Sequence, residues 1–189
     1  MGKTALIVVD VQRDFCEGGA LQGADTLSLM QPLKECIDAS RRGGVVIVYT
    51  QDWHPANHSS FQKNGGRWPV HCVAGSRGAE LMDPLQPEAS DVILHKGEPV
   101  DGEGFSGFDG TELRKTLRAM DVERVFVAGI ATEYCVRATA MDALREGFKV
   151  FVVGDLVRSV DAIQTAKVLA EMAAAGVKSA TCADVRGKN

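Results

Sequence analysis

Val125-Phe126-Val127-Ala128-Gly129-Ile130-Ala131-Thr132-Glu133-Tyr134-Cys135-Val136 is the stretch whose reading decides the fold. Residues 125–128 form a short apolar run bounded by a turn signal, the pattern of a strand covered on both faces. Gly129 breaks the run, and Thr132, a good N-cap, opens a helix that Gly147 ends. Strand, turn and helix in this order make half of a βαβ unit. Counting from Thr132 puts Cys135 at the third helical position, where free N–H groups and the positive end of the helix dipole favour a thiolate. By itself such a cysteine is more often a small buried hydrophobe than a nucleophile. Its meaning depends on what the rest of the chain brings to it.

Outward from this stretch the same alternation repeats. Residues 4–9, Thr-Ala-Leu-Ile-Val-Val, read as a central parallel strand with Asp10 at its carboxyl end. A loop over 11–25 leads to a helix with Met30, Leu33 and Ile37 at helical spacing, whose regular part Pro32 predicts to begin only there. Gly43-Gly44 stops it, and residues 45–50 form a second strand with Asp52 just beyond. A third strand over 91–94 ends at His95-Lys96-Gly97. Asp109 and Glu112 resemble a capping box for a helix carrying Leu113, Leu117 and Met120. After the opening stretch come a fifth strand over 148–153, a helix capped by Ser159 or Asp161, and a short sixth strand over 177–181. Such lengths imply right-handed crossovers. The expectation is a three-layer α/β/α fold with a six-stranded, mainly parallel, Rossmann-like sheet, in a single domain over 1–189.

Composition narrows the partners. The chain has 189 residues, 45% hydrophobic and 24% charged, enough to bury one full core. A formal charge of −4 carries no electrostatic footprint for nucleic acid or an anionic membrane. No basic segment precedes a long apolar one, so neither signal peptide nor membrane span is expected and the predicted location is cytoplasmic. Cysteines 16, 36, 72, 135 and 182 are odd in number and form no C-x-x-C pair, which points away from a disulfide framework and from a cysteine-only zinc site.

In an open α/β sheet, ligands bind beyond the carboxyl ends of the strands. That rule places Asp10, Asp52, Lys96 and Cys135 on one rim. A thiol of ordinary pKa needs a base or a nearby cation to act as a nucleophile, and Asp10 and Lys96 can supply both; the plain alternative for that pair is a structural ion pair. The irregular segment from Asp52 to about Gly78 is too long for a simple connection and holds Trp53, His54, His58, Trp68 and His71. Asp52 and His54, two residues apart in extended chain, point the same way, and His71 is the natural third ligand of a metal. Three N/O ligands with open positions describe a catalytic site for zinc, manganese or iron. His58 has no comparable spacing argument. Residues 102–107, Gly-Glu-Gly-Phe-Ser-Gly, match the dinucleotide fingerprint G-x-G-x-x-G, but they do not join a strand to a helix and have acidic neighbours that would repel a pyrophosphate. They read as a flexible active-site loop.

With these residues in place the sequence resembles the nicotinamidase group of the isochorismatase-like cysteine hydrolase family. The resemblance spans nearly the whole chain and rests on Ala-Leu-Ile-Val-Val-Asp10-Val-Gln-Arg-Asp-Phe15, Gln-Asp52-Trp-His54-Pro-Ala-Asn-His58, Trp68-Pro-Val-His71-Cys, His-Lys96-Gly, Phe-Ser-Gly-Phe108 and Gly-Ile-Ala-Thr-Glu-Tyr-Cys135-Val. It implies a triad of Asp10, Lys96 and Cys135, a cis peptide at Ile130-Ala131, and an oxyanion hole from the N–H groups of Ala131 and Cys135. It also implies one divalent transition metal, zinc foremost, on Asp52, His54 and His71, with His58 or a nearby serine as a further ligand in some members. Phe15, Leu21, Trp68, Phe105 and Tyr134 would wall a pocket for nicotinamide. The implied reaction is hydrolysis of nicotinamide in NAD salvage; another small-amide or carbamoyl hydrolase of the same fold is the alternative. Isochorismatases proper lack the nucleophilic cysteine. Self-association is left open.

Overall fold

The apolar runs pair edge to edge. In the computed structural model, which describes residues 2–186, the strands are β1 (Lys3–Val9), β2 (Val46–Asp52), β3 (Val92–Lys96), β4 (Val122–Ile130), β5 (Lys149–Arg158) and β6 (Lys178–Ala180). They form one sheet in the order β3-β2-β1-β4-β5-β6, with every neighbouring pair parallel. The chain moves outward through β2 and β3, then crosses back to the other side of β1. The order therefore reverses between β1 and β4, and a crevice opens at their carboxyl ends.

Alternation along β1 sends Leu6 and Val8 to one face and Ala5, Ile7 and Val9 to the other, all buried. Helix α1 (Leu27–Arg42) and the short α5 (Cys182–Val185) cover the first face with Leu29, Leu33, Ile37 and Val185. Helices α2 (Leu113–Ala119), α3 (Arg137–Arg145) and α4 (Thr165–Ala175) cover the second with Leu117, Ala140 and Met172. Each large aliphatic side chain removed from water in this way contributes about 1.5–3 kcal/mol. The result is the expected three-layer α/β/α arrangement.

Several local expectations are corrected. β4 does not stop at Gly129 but runs on to Ile130, with Gly129 opposite Val9 at φ 117°. A Cβ there would lie 2.2 Å from the Val9 carbonyl oxygen, so the glycine serves the close approach of two strands and not a break. The helix capped by Thr132 is replaced by a π-helical turn, Thr132–Val136, in which Ala131 is the N-cap and no side chain caps. The Val136 N–H reaches back five residues to the Ala131 carbonyl at 3.1 Å, which widens the turn. The Ile130-Ala131 peptide is cis. Pro32 lies inside α1, not at its start. The carbonyl its missing N–H would have met belongs to Ser28, on the exposed side of the first turn where water can serve it. Asp52 and Lys96 are the last residues of their strands, and β5 extends well past Val153. Cys36 and Cys182 form a disulfide with Cα atoms 5.6 Å apart, contrary to the reading from cysteine count. It joins α1 to α5 across a separation of 146 residues, so no local spacing announces it. Among the described residues no helix is long and apolar enough to cross a membrane.

Candidate active site

The crevice between β1 and β4 collects the predicted rim residues. Asp10 follows β1 with φ 48°, a left-handed conformation. Its backbone N–H donates to the Thr50 carbonyl at 3.1 Å, and Thr50 Oγ1 donates to Asp10 Oδ1 at 2.7 Å. Lys96 ends β3 in register with Asp52. Its buried Nζ lies 2.8 Å from Asp10 Oδ2, donates to Asp52 Oδ1 and to the Gly104 carbonyl at 3.0 Å, and sits 3.5 Å from Cys135 Sγ. One ammonium thus links both carboxylates and the thiol. The sequence reading paired Lys96 with Asp10 and Cys135 only.

Burial sets the protonation states. It opposes the charge on Lys96, but Asp10 and Asp52 outweigh it and hold the ammonium pKa well above its ordinary value. Burial pushes the Asp10 carboxyl up, with Lys96 opposing. For Asp52 burial also acts upward, yet Lys96 and His54 prevail and the pKa falls. The Cys135 thiol is held well above the usual range by burial, in spite of Lys96. The cysteine is therefore protonated at rest and needs a base, and the carboxylate beside it is Asp10.

Next to this cluster, ligand atoms of Asp52, His54 and His71 lie within 4.8 Å of one another, all three residues buried. His54 Nδ1 is 2.9 Å from the Gly97 carbonyl and His71 Nδ1 is 2.8 Å from the Pro69 carbonyl. A carbonyl only accepts, so each Nδ1 carries its proton, and each ring keeps Nε2 for an ion. A Cβ on Gly97 would come 2.4 Å from His54 Cε1, so a glycine is needed where the imidazole packs on the chain. Burial lowers the pKa of His71, which favours the neutral ring a metal requires. The donor set fits a divalent transition metal. His58 stands beside it, buried, its ring 4.2 Å from that of His54 and its Nδ1 2.7 Å from Ser60 Oγ.

Asp52, His54, His71 and Cys135 face a pocket of about 450 Å3 of empty space including its open mouth. Phe15, Leu21, Trp68, Phe105, Tyr134, Ala131 and Cys135 all line it. Tyr134 meets Trp68 edge-on at 5.2 Å and Phe105 at 5.5 Å between ring centroids. The structure thus brings every predicted site residue to one place. Sequence reasoning missed Thr50, Ser60, Glu103 and Val160. Thr50 had a signal, since it ends the predicted second strand beside the one that Asp10 follows; Glu103 lies in the loop over 102–107 already read as part of the site, Ser60 is one of the serines near His58, and Val160 has no pattern to mark it.

The family model described as Isochorismatase domain matches residues 4–184. The chain belongs to this family. Within the isochorismatase family it is 38% identical to a nicotinamidase of Escherichia coli (strain K12), over 97% of each chain. The solved pyrazinamidase of Pyrococcus horikoshii in complex with zinc is 44% identical and superposes with a TM-score of 0.91, covering 95% of this chain and 99% of that one. The yeast nicotinamidase bound to the inhibitor nicotinaldehyde is 30% identical with a TM-score of 0.87, covering 94% and 99%. An all-parallel sheet of six strands with helices on both faces is the fold shared with these structures.

Proposed function

We propose that this chain hydrolyses nicotinamide to nicotinate and ammonia through a cysteine thioester, as a step of NAD salvage. The observation that carries the reading is a thiol at an aromatic pocket, backed by a buried base and cation and beside a donor set for a divalent ion. Residues 1–189 are taken as one hydrolase domain, on the single sheet and the family match.

Phe15, Leu21, Trp68, Phe105 and Tyr134 hold the flat ring and present the carboxamide carbon to Cys135. Asp10 takes the thiol proton, and the sulfur attacks that carbon. The backbone N–H groups of Ala131 and Cys135 donate to the oxyanion that forms. Asp10 passes its proton to the leaving nitrogen, the C–N bond breaks, and ammonia departs from the thioester. Asp10 then draws one proton from water, whose oxygen attacks the thioester carbon; the C–S bond breaks, Asp10 returns that proton to the thiolate, and the acid leaves as nicotinate, its own proton passing to solvent. Lys96 keeps its charge throughout and offsets those of Asp10 and sulfur. A divalent ion on Asp52, His54 and His71, zinc in this reading with manganese or iron as alternatives, supplies a Lewis acid beside the pocket.

Ammonia release from nicotinamide, an aliphatic amide and a carbamoyl compound tests the reading. Nicotinamide is expected to be the best substrate, and Cys135→Ala to abolish release with fold and metal content retained. Turnover of the carbamoyl compound alone would assign the chain to another amide hydrolase of the same fold.

A further inference from the structure

The segment that matches the dinucleotide fingerprint, residues 102–107, has a different use. Two consecutive residues of it reach two sides of the pocket. The Gly104 carbonyl accepts from Lys96 Nζ at 3.0 Å, and Glu103 Oε2 accepts the indole N–H of Trp68 at 3.1 Å. Glu103 Oε1 also lies 3.6 Å from Arg67 Nε. The Arg67 guanidinium is 4.6 Å from the Trp68 ring centroid and 5.9 Å from those of Phe105 and Tyr134. Gly104 has φ 61°, and a Cβ on it would come 2.7 Å from Gly97 Cα, so the loop folds back tightly on its own root and holds residue 103 over the pocket mouth. The tryptophan side chain has a single polar hydrogen, and Glu103 accepts its hydrogen bond.

We propose that Glu103 is a positioning residue that latches Trp68 as a wall of the pocket, so that the loop carrying the Lys96 contact closes on the ring of the bound amide. The kinetic part rests on the reading of the pocket as a nicotinamide site; the latch itself does not. The chain has two tryptophans, and Trp53 is stacked on His95 outside the pocket lining, so a Trp53→Phe background leaves Trp68 as the sole tryptophan, read by excitation selective for indole. There Glu103→Ala should raise acrylamide quenching of Trp68 about twofold through local opening. With nicotinamide it should raise KM by about three- to tenfold with kcat within about twofold. Glu103→Gln keeps a carbonyl acceptor for the indole N–H and should stay near the parent in both readouts. Unchanged quenching and KM in Glu103→Ala, a Glu103→Gln variant as damaged as Glu103→Ala, or a fall in kcat at constant KM would each overturn the latch. Increased quenching in Glu103→Ala while the parent fails to turn over nicotinamide would keep the latch and overturn the substrate reading instead.

Discussion

Thr50 and Lys96 hold Asp10 from two sides, and burial opposes both. Both favour the carboxylate, while full burial favours the acid and dominates. The native pKa of Asp10 therefore lies above the ordinary 3.8. The folded state binds this proton more readily than the unfolded one, so the stability Asp10 contributes is present below pH 3.8 and is lost as pH rises through its folded value. Activity runs the other way, since the base must be ionised. The acid limb of kcat/KM is expected above pH 3.8 under saturating metal. Thr50→Val removes a bond that favours the carboxylate, so it should move that limb further up and lower kcat/KM by about tenfold, with Thr50→Ser restoring both. A limb that does not move would separate Thr50 from the base. Asp10, Asp52 and Lys96 were legible in the sequence because each is a polar residue at or just past the end of an apolar run, and Cys135 because it falls in the first turn of the helix after one. That Lys96 spans both carboxylates was not, because it depends on the register of β2 and β3.

Among the elements, β4 shows how a correct strand can carry a wrong boundary. Gly129 reads as a breaker from local propensity, but its role comes from Val9 on the neighbouring strand, 120 positions away in sequence, which local reading does not see. Gly129→Ala would place a Cβ 2.2 Å from the Val9 oxygen in a backbone conformation that L residues avoid. It is expected to destabilise the protein by roughly 3 kcal/mol or more, or to prevent folding, as read by urea unfolding. A loss below about 1 kcal/mol would show that β1 and β4 can separate freely. The π turn escaped notice for a related reason. Thr132 is a fitting N-cap by residue type, yet Ala131 takes that position, Thr132 is the first residue of the turn, and its buried Oγ1 makes no hydrogen bond. The disulfide between Cys36 and Cys182 likewise depends on how α1 and α5 pack, as does the existence of α5 itself.

For the whole molecule, two buried clusters share Asp52: one oxygen faces Lys96 and the other lies 3.5 Å from His54 Nε2. Holding the metal set intact and holding the lysine in place are thus one structural task. Metal analysis of the purified protein is expected to find about one divalent transition metal ion per chain, as for a three-ligand catalytic site. His71→Ala should weaken binding of that ion by about 100-fold or more, beyond what loss of a ligand's hydrogen-bond partner costs, and a chelator should lower the thermal midpoint, because an ion bound only by the native state stabilises it. Unchanged metal content in His71→Ala would place the ion elsewhere. The central claim is that Cys135 forms a thioester with the acyl group of nicotinamide. The most direct measurement is acid quenching during a single turnover, followed by mass spectrometry of the peptide carrying Cys135. A nicotinoyl adduct is expected on that cysteine and none in Cys135→Ala; ammonia release at the parent rate by Cys135→Ala, with no adduct in the parent, would rule the thioester out.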